Sequence, residues 1–168
     1  NCPKPAMIAH FILFALCLLT SVARAAAPTP IGETALVIGV GYVHRAQAQL
    51  PVARGMSIQV GDMLETSANG HVHLRFVDGA FVSVRPNSRL LIESYQFDPQ
   101  RHDNGAIKFR LEQGVIRSIT GRWGEAARER FRLNTPLAAI GVRGTDFVVQ
   151  ANTEQLRTTV NTGAIVVT

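Results

Sequence analysis

The stretch that decides the fold is residues 71–76, HVHLRF, in which polar and apolar side chains alternate at every position. Residues 107–112 (IKFRLE) and 130–134 (RFRLN) repeat this alternation. A period of two directs one set of side chains into a core and the other into water, which is typical of a half-buried β-strand. Only one short helix is predicted, around residues 125–129 (EAARE). We therefore expect an all-β fold.

Glycine-containing dipeptides that favour turns separate the strands. They are Gly61-Asp62, Asn69-Gly70, Asp78-Gly79, Asn104-Gly105 and Thr162-Gly163. A polar residue, a glycine and an apolar run recur at the predicted strand starts, including those at Gly114 and Gly163. The irregular spacing of these glycines indicates no clean repeat. Short strands with glycine corners fit either a twisted β-solenoid-like domain or a sandwich.

The length and composition indicate a single globular domain. The chain has 168 residues, of which 46% are hydrophobic and 17% are charged, and it contains two cysteines. This apolar fraction is too high for a disordered chain, and two cysteines are too few for a disulfide-rich mini-fold.

The N-terminal residues have the organisation of a secretory signal. Residues 8–22 form an apolar run after Lys4, and Ala23-Arg24-Ala25 provides the small-x-small pattern of a cleavage site. We expect a signal peptide over residues 1–25, a linker over residues 26–33 and a β-domain over residues 34–168 that continues beyond Thr168. The alternative is an uncleaved signal anchor in the inner membrane, although about 20 apolar residues are usually needed to span a bilayer.

Cleavage after Ala25 changes the charge and the cysteine content. It removes Lys4 and Arg24, so the net charge falls from +5 to +3, and it removes both cysteines, Cys2 and Cys17. The high isoelectric point therefore does not indicate nucleic-acid binding, least of all in an exported protein.

A series of motifs follows in order along the predicted domain. They are VGD at residues 60–62 with Leu64 and Thr66, the Asp78-Gly79 turn, LEQG at residues 111–114, FRLNTP at residues 131–136 and IGVRGTDF at residues 140–147. In this order they resemble the FecR domain of bacterial envelope signalling proteins, whose V-R-G-T-x-F signature matches the last segment. The resemblance covers about residues 37–167. The residues that carry it, which we expect to be mainly structural, are Gly61, Asp62, Asp78, Gly79, Gly114, Thr135, Pro136, Gly141, Arg143, Gly144, Thr145 and Phe147.

The resemblance implies an all-β, solenoid-like, periplasmic domain. In the iron-uptake sensors of that family, the domain carries a signal from a siderophore receptor towards a cytoplasmic sigma factor. In the given sequence no sigma-binding region precedes the apolar segment and no receptor-binding domain follows Thr168. The resemblance therefore applies to the domain itself and leaves open whether a sigma factor is regulated.

Two segments are candidates for contact with a partner. In the V-R-G-T segment, glycines flank Val142-Arg143, and we expect Arg143 to fasten a buried corner by bonding carbonyls or Asp146, with a partner surface as the alternative. Residues 117–132 contain five arginines and the only tryptophan. Arg122 and Trp123 would then contact an acidic envelope protein or an anionic glycan, unless Trp123 folds back on the sheet.

The sequence gives no sign of catalysis or of cofactor binding. His71 and His73 lie on one strand face with Arg75, but a metal site normally needs three or four ligands and Arg75 would repel a cation. We expect three solvated residues there, no metal, no cofactor, no small-molecule substrate and no enzyme activity. The hypothesis is an exported, non-enzymatic, FecR-like binding module for envelope signal transduction or regulation. The alternative is a structural or glycan-binding segment of a larger secreted envelope protein.

Overall fold

The computed structural model describes residues 29–96, 105–126 and 128–168. The predicted signal peptide, its cleavage site and the Asn104 turn position lie outside these residues. Within the described part of the chain, no helix is long and apolar enough to cross a membrane.

The described residues form twelve strands, one helical turn and one 3-10 turn. In chain order they are β1 (Gly32–Ile38), β2 (Gly41–Arg45), β3 (Ala48–Pro51), β4 (Ser57–Ile58), β5 (Met63–Thr66), β6 (His71–Phe76), β7 (Phe81–Val84), β8 (Arg89–Gln96), β9 (Ala106–Ile119), α1 (Arg122–Ala126), the 3-10 turn (Arg128–Arg130), β10 (Phe131–Asn134), β11 (Ala139–Ala151) and β12 (Leu156–Val167).

The all-β prediction is confirmed, and the three alternating segments are strands. They correspond to β6, the first half of β9, and β10. On β6, Val72, Leu74 and Phe76 are buried, as the alternation requires. The predicted helix exists but begins earlier than expected, at Arg122.

Strand β9 is the centre of the sheet network. Its first half pairs with β8 and β10, and its second half pairs with β7 and β11. The two halves meet at Gly114, which has a φ of 100°. A Cβ there would lie 2.4 Å from the Cα of Ser88, so the strand can bend at this point only because the residue is glycine. The prediction that Gly114 and Gly163 begin strands was therefore wrong, because both lie inside strands, and the Thr162-Gly163 turn does not form.

The network folds into two layers around one core. The sheet order β3-β2-β5-β8-β9-β7-β6-β1-β4 places four strands on each side of β9. Phe76 of β6 stacks on Tyr95 of β8 with ring centroids 4.4 Å apart. The arm β3-β2-β5-β8 and the arm β7-β6-β1-β4 therefore face each other. Apart from the parallel β9–β10 pair, the strand pairs found in the described residues are antiparallel. Of the two arrangements left open by the sequence, the structure has the sandwich-like one.

Candidate functional site

The outer face of strands β10, β11 and β12 carries a row of three residues. Arg132 pairs with Gly141, and Gly141 pairs with Val166. Paired residues of neighbouring strands share a face, so this row lies opposite the buried side chains of Leu133 and Ile140. A Cβ on Gly141 would lie 3.3 Å from Nη1 of Arg132. The missing side chain therefore leaves the space that the guanidinium occupies.

Arg143 does not have the role expected from the sequence. Its side chain is exposed, and the carboxylate of Asp146 is bound instead by Arg117, whose Nε and Nη2 donate at 2.9 and 2.7 Å. Arg117 lowers the pKa of Asp146, chiefly through these hydrogen bonds. The predicted buried corner tied by Arg143 was wrong, because cross-strand pairing places Arg117 of β9 nearer to Asp146.

A basic groove lies beside the three-residue row. It has a volume of about 340 Å³, and its lining includes Arg132, Gly141, Arg143, Val166, Thr168 and one acidic residue, Glu129. No hydrogen bond or ion pair of Arg143 is found within residues 29–96, 105–126 and 128–168. The groove therefore offers one uncommitted guanidinium and a second, Arg132, which donates to the carbonyl of Phe131.

The outer edge of β12 borders this groove. Ala139 and Thr168 exchange both backbone hydrogen bonds at 2.9 Å. Bonded and non-bonded pairs alternate along an antiparallel ladder, so Val166 also bonds to β11, whereas Ile165 and Val167 turn their N–H and C=O groups to the opposite edge. In the described residues β12 pairs with β11 alone, which leaves those groups without a strand partner there.

Asp62 is a structural residue of the first turn motif. Its carboxylate is buried and accepts bonds from Nε and Nη2 of Arg45, both at 2.7 Å, and from the N–H of Gln59 at 2.8 Å. The hydrogen bond to Asp62 is the main reason that the pKa of Arg45 is raised. Gly61, with a φ of 90°, supplies the turn.

Asp78 joins three parts of the chain that are distant in sequence. Its buried carboxylate accepts the hydroxyl of Tyr95 at 2.5 Å and the N–H groups of Ala80 and Trp123 at 3.1 Å. Gly79 follows with a φ of 86°. Burial, together with the hydrogen bond to Asp78, raises the pKa of Tyr95 above its usual range. The partners Tyr95 and Trp123 could not be identified from the sequence, because turn motifs reveal no long-range contact.

Residues of the second half of the motif form a turn, an irregular strand pairing and part of the core. Thr135 and Pro136 form the turn between β10 and β11, where the Thr135 hydroxyl donates to the carbonyl of Ala138 at 2.8 Å. Gly144 has a φ of 58°, next to an irregularity in the register with β12, and Thr145 follows it in β11. Phe147 is fully buried in the core.

The Arg122–Trp123 segment is anchored to the domain. The indole of Trp123 is half-buried and lies 5.8 Å from the ring of Tyr95, measured between centroids. Gly121 and Gly124 are buried, so the exposed loop expected around Trp123 is not present. The indole therefore folds back on the sheet, whereas the side chain of Arg122 is exposed. A contact between these residues and a partner stays a prediction.

Comparisons with known proteins support the motif analysis over most of the domain. The family model described as FecR protein matches residues 62–166. This range begins at the buried Asp62 and ends at the groove residue Val166. No curated protein and no solved structure shows significant similarity to the chain. The described residues contain no group of three or more His, Cys, Asp or Glu side chains arranged to hold a metal ion. Because the match spans more than half of the sequence, the chain belongs to the FecR protein family, whose members are signalling-related proteins of the cell envelope.

Proposed function

We propose that the chain is an exported, non-enzymatic binding module for cell-envelope signal transduction or regulation. In this proposal, its partner is another envelope protein that adds an extended, acidic segment to the outer edge of β12. The observation that carries the proposal is the juxtaposition of that edge with the groove of Arg132 and Arg143.

The edge supports the proposal through its backbone. An extended peptide can pair with an unpaired strand edge, where main-chain hydrogen bonds supply affinity and side-chain pockets supply specificity. Strand β12 runs over twelve residues, Leu156–Val167, which is long for a strand that pairs on one side only within the described part of the chain. The exposed side chains of Val166 and Val167 add apolar contact area to this edge.

The groove supports an acidic partner through its charge. Two guanidinium groups, Arg132 and Arg143, border the space beside Gly141, whereas Glu129 is the acidic residue of the lining. Guanidinium groups bind carboxylates in a bidentate geometry. Side chains two residues apart on an added strand share a face, so acidic residues at such a spacing would face the groove.

Site-specific photo-crosslinking in cells tests the docking surface. A photoreactive amino acid at Val166 lies in the groove, and the same amino acid at Val60, which is 44% exposed on a distant turn, is the matched control. We expect an adduct with an acidic segment of an envelope protein at Val166 and not at Val60.

Three variants separate edge pairing from charge and from loss of fold. Val167→Pro removes an N–H that faces the outer edge, which an edge strand tolerates, and should abolish the adduct. The double variant Arg132→Glu/Arg143→Glu should do the same. Arg54→Glu, at an exposed position away from the groove, should retain the adduct. An anionic glycan captured at Val166 would contradict the protein partner, and equal adducts at Val166 and Val60 would contradict the docking surface.

The exported location has a separate test. Intact-mass measurement on periplasmic and membrane fractions should find a species that begins at Ala26. A membrane-bound species that retains residues 8–22 would contradict cleavage and indicate an inner-membrane anchor.

A further inference from the structure

Two imidazole rings meet on the outer face of the sheet half formed by β7, β6, β1 and β4. His71 and His73 are two residues apart on β6, and their Nε2 atoms are 3.2 Å apart. The rings meet edge to face, with centroids 4.7 Å apart. Both residues are half-buried, whereas Arg75 is exposed, so the two rings keep contact with solvent while they also contact each other.

The separation of the two nitrogens matches that of two ligands of one metal ion. Imidazole nitrogens bound at about 2.0–2.1 Å, with an angle of about 90–110° at the metal, lie about 2.8–3.4 Å apart. The observed distance of 3.2 Å falls within this range. The separation therefore fits a shared metal ion as well as the hydrogen bond that joins the two rings without one.

Neighbouring residues hold the rings in this arrangement. The hydroxyl of Ser83 lies 2.7 Å from Nε2 of His71 and provides an oxygen beside the pair. The ring of Phe81 packs edge to face against His73 with centroids 5.0 Å apart. On β1, the cross-strand neighbours of the two histidines are the uncharged residues Leu36 and Ile38.

The charges near the pair are compensated. Arg75, the residue expected to repel a cation, bonds to Glu33 of β1. Arg117, which lies across from Ser83, is bound by Asp146.

We propose that His71 and His73 form a two-imidazole site for a divalent first-row transition-metal ion, with Cu²⁺ as the preferred ion. Imidazole ligands suit copper, nickel and zinc, and for a given set of ligands Cu²⁺ binds most strongly. Two imidazoles are half of the four protein ligands of a structural zinc site, so the preference for Cu²⁺ rests on this order of affinities. Water completes the coordination, and the Ser83 hydroxyl is near enough to hydrogen-bond to such a water.

Copper titration of the full chain, with Cys2 and Cys17 alkylated, tests this site. Calorimetry with Cu²⁺ should give one tight equivalent, and the electron paramagnetic resonance spectrum should show two nitrogen ligands. His71→Ala and His73→Ala should each weaken the affinity for this copper ion at least about tenfold and leave one nitrogen ligand in the spectrum. His44→Ala is the matched control, because His44 bonds to Glu65 on the other arm of the sheet and should bind copper as the wild type does.

The result is decisive even if an alanine variant is poorly folded. His71→Gln and His73→Gln retain a polar side chain on the outer face, and far-UV circular dichroism verifies their fold. Wild-type affinity in either folded variant would overturn the proposal. A wild-type chain without a tight equivalent, or a spectrum with oxygen ligands alone, would also overturn it.

Discussion

Removing the hydroxyl of Tyr95 should destabilise the domain by about 2 kcal/mol. Tyr95 is 3% exposed, and its hydroxyl donates to the buried carboxylate of Asp78 at 2.5 Å. A hydrogen bond to a charged group contributes about 1.5–3 kcal/mol, and its loss leaves Asp78 with one donor fewer. Tyr95→Phe keeps the ring that stacks on Phe76, so the change isolates the hydrogen bond from the packing.

Urea unfolding of Tyr95→Phe beside Tyr42→Phe measures this loss. The chain has two tyrosines, and Tyr42 is half-buried, so Tyr42→Phe should change the free energy of unfolding by less than about 0.5 kcal/mol. The fluorescence of Trp123, which lies beside Tyr95, reports the transition. Equal free energies of unfolding for the two variants would refute the argument.

The same hydrogen bond sets an alkaline limit. Burial and Asp78 raise the pKa of Tyr95 in the folded state, so its stabilising contribution is fully present below the unfolded-state pKa of about 10. At higher pH the unfolded chain loses this proton first, and stability falls. The difference in stability between wild type and Tyr95→Phe should therefore shrink above pH of about 10. A difference that stays constant across that range would contradict the coupling.

The remaining predictions concern the bend, the first motif and an ion pair. Gly114→Ala should cost at least about 2 kcal/mol of unfolding free energy, because it combines a positive φ with a steric clash. Gly144 has a φ of 58° and open space around it, so Gly144→Ala should cost about 1 kcal/mol of unfolding free energy. Similar urea midpoints for Gly114→Ala and Gly144→Ala would contradict the role of the steric clash at Gly114. Asp62→Ala should cost about 2–3 kcal/mol, because the buried carboxylate accepts three hydrogen bonds, and calorimetry should show a lower melting temperature. Arg117 lowers the pKa of Asp146, so the contribution of Asp146 is present above its unfolded-state pKa of about 3.9 and is lost as the pH falls further. The difference in urea midpoint between wild type and Asp146→Asn should then vanish at low pH.

The strand pattern of the middle of the chain could be predicted because it depends on local geometry. A pleated strand alternates its faces at every residue, so the alternation at residues 71–76 identifies both the strand and its buried side. Turn glycines such as Gly61 and Gly79 could also be predicted, because a positive φ is a local requirement.

Contacts across the sheet could not be predicted, because no local pattern encodes which strands become neighbours. The carboxylate of Asp146 pairs with a residue 29 positions away in sequence rather than with nearby Arg143. In the same way, Gly114 resembles a strand start in sequence, whereas its function is to bend β9 between two layers. The row of Arg132, Gly141 and Val166 depends on two strand registers, so the alternation of residues 130–134 reveals only that Arg132 faces outwards.

The position of β9 has a consequence for how the domain folds. Without β9, the first eight strands form two separate four-stranded sheets, β3-β2-β5-β8 and β7-β6-β1-β4, whose strands alternate along the sequence. The hydrogen bonds that join the two sheets into one network form only after residues 106–119 have been synthesised. Folding from the N-terminus in steps is therefore disfavoured, and the many non-local pairings make folding slow, on the scale of milliseconds to seconds. The export proposed above would be compatible with this order of events, because a chain that joins its two sheets only after β9 has been made stays extended until then.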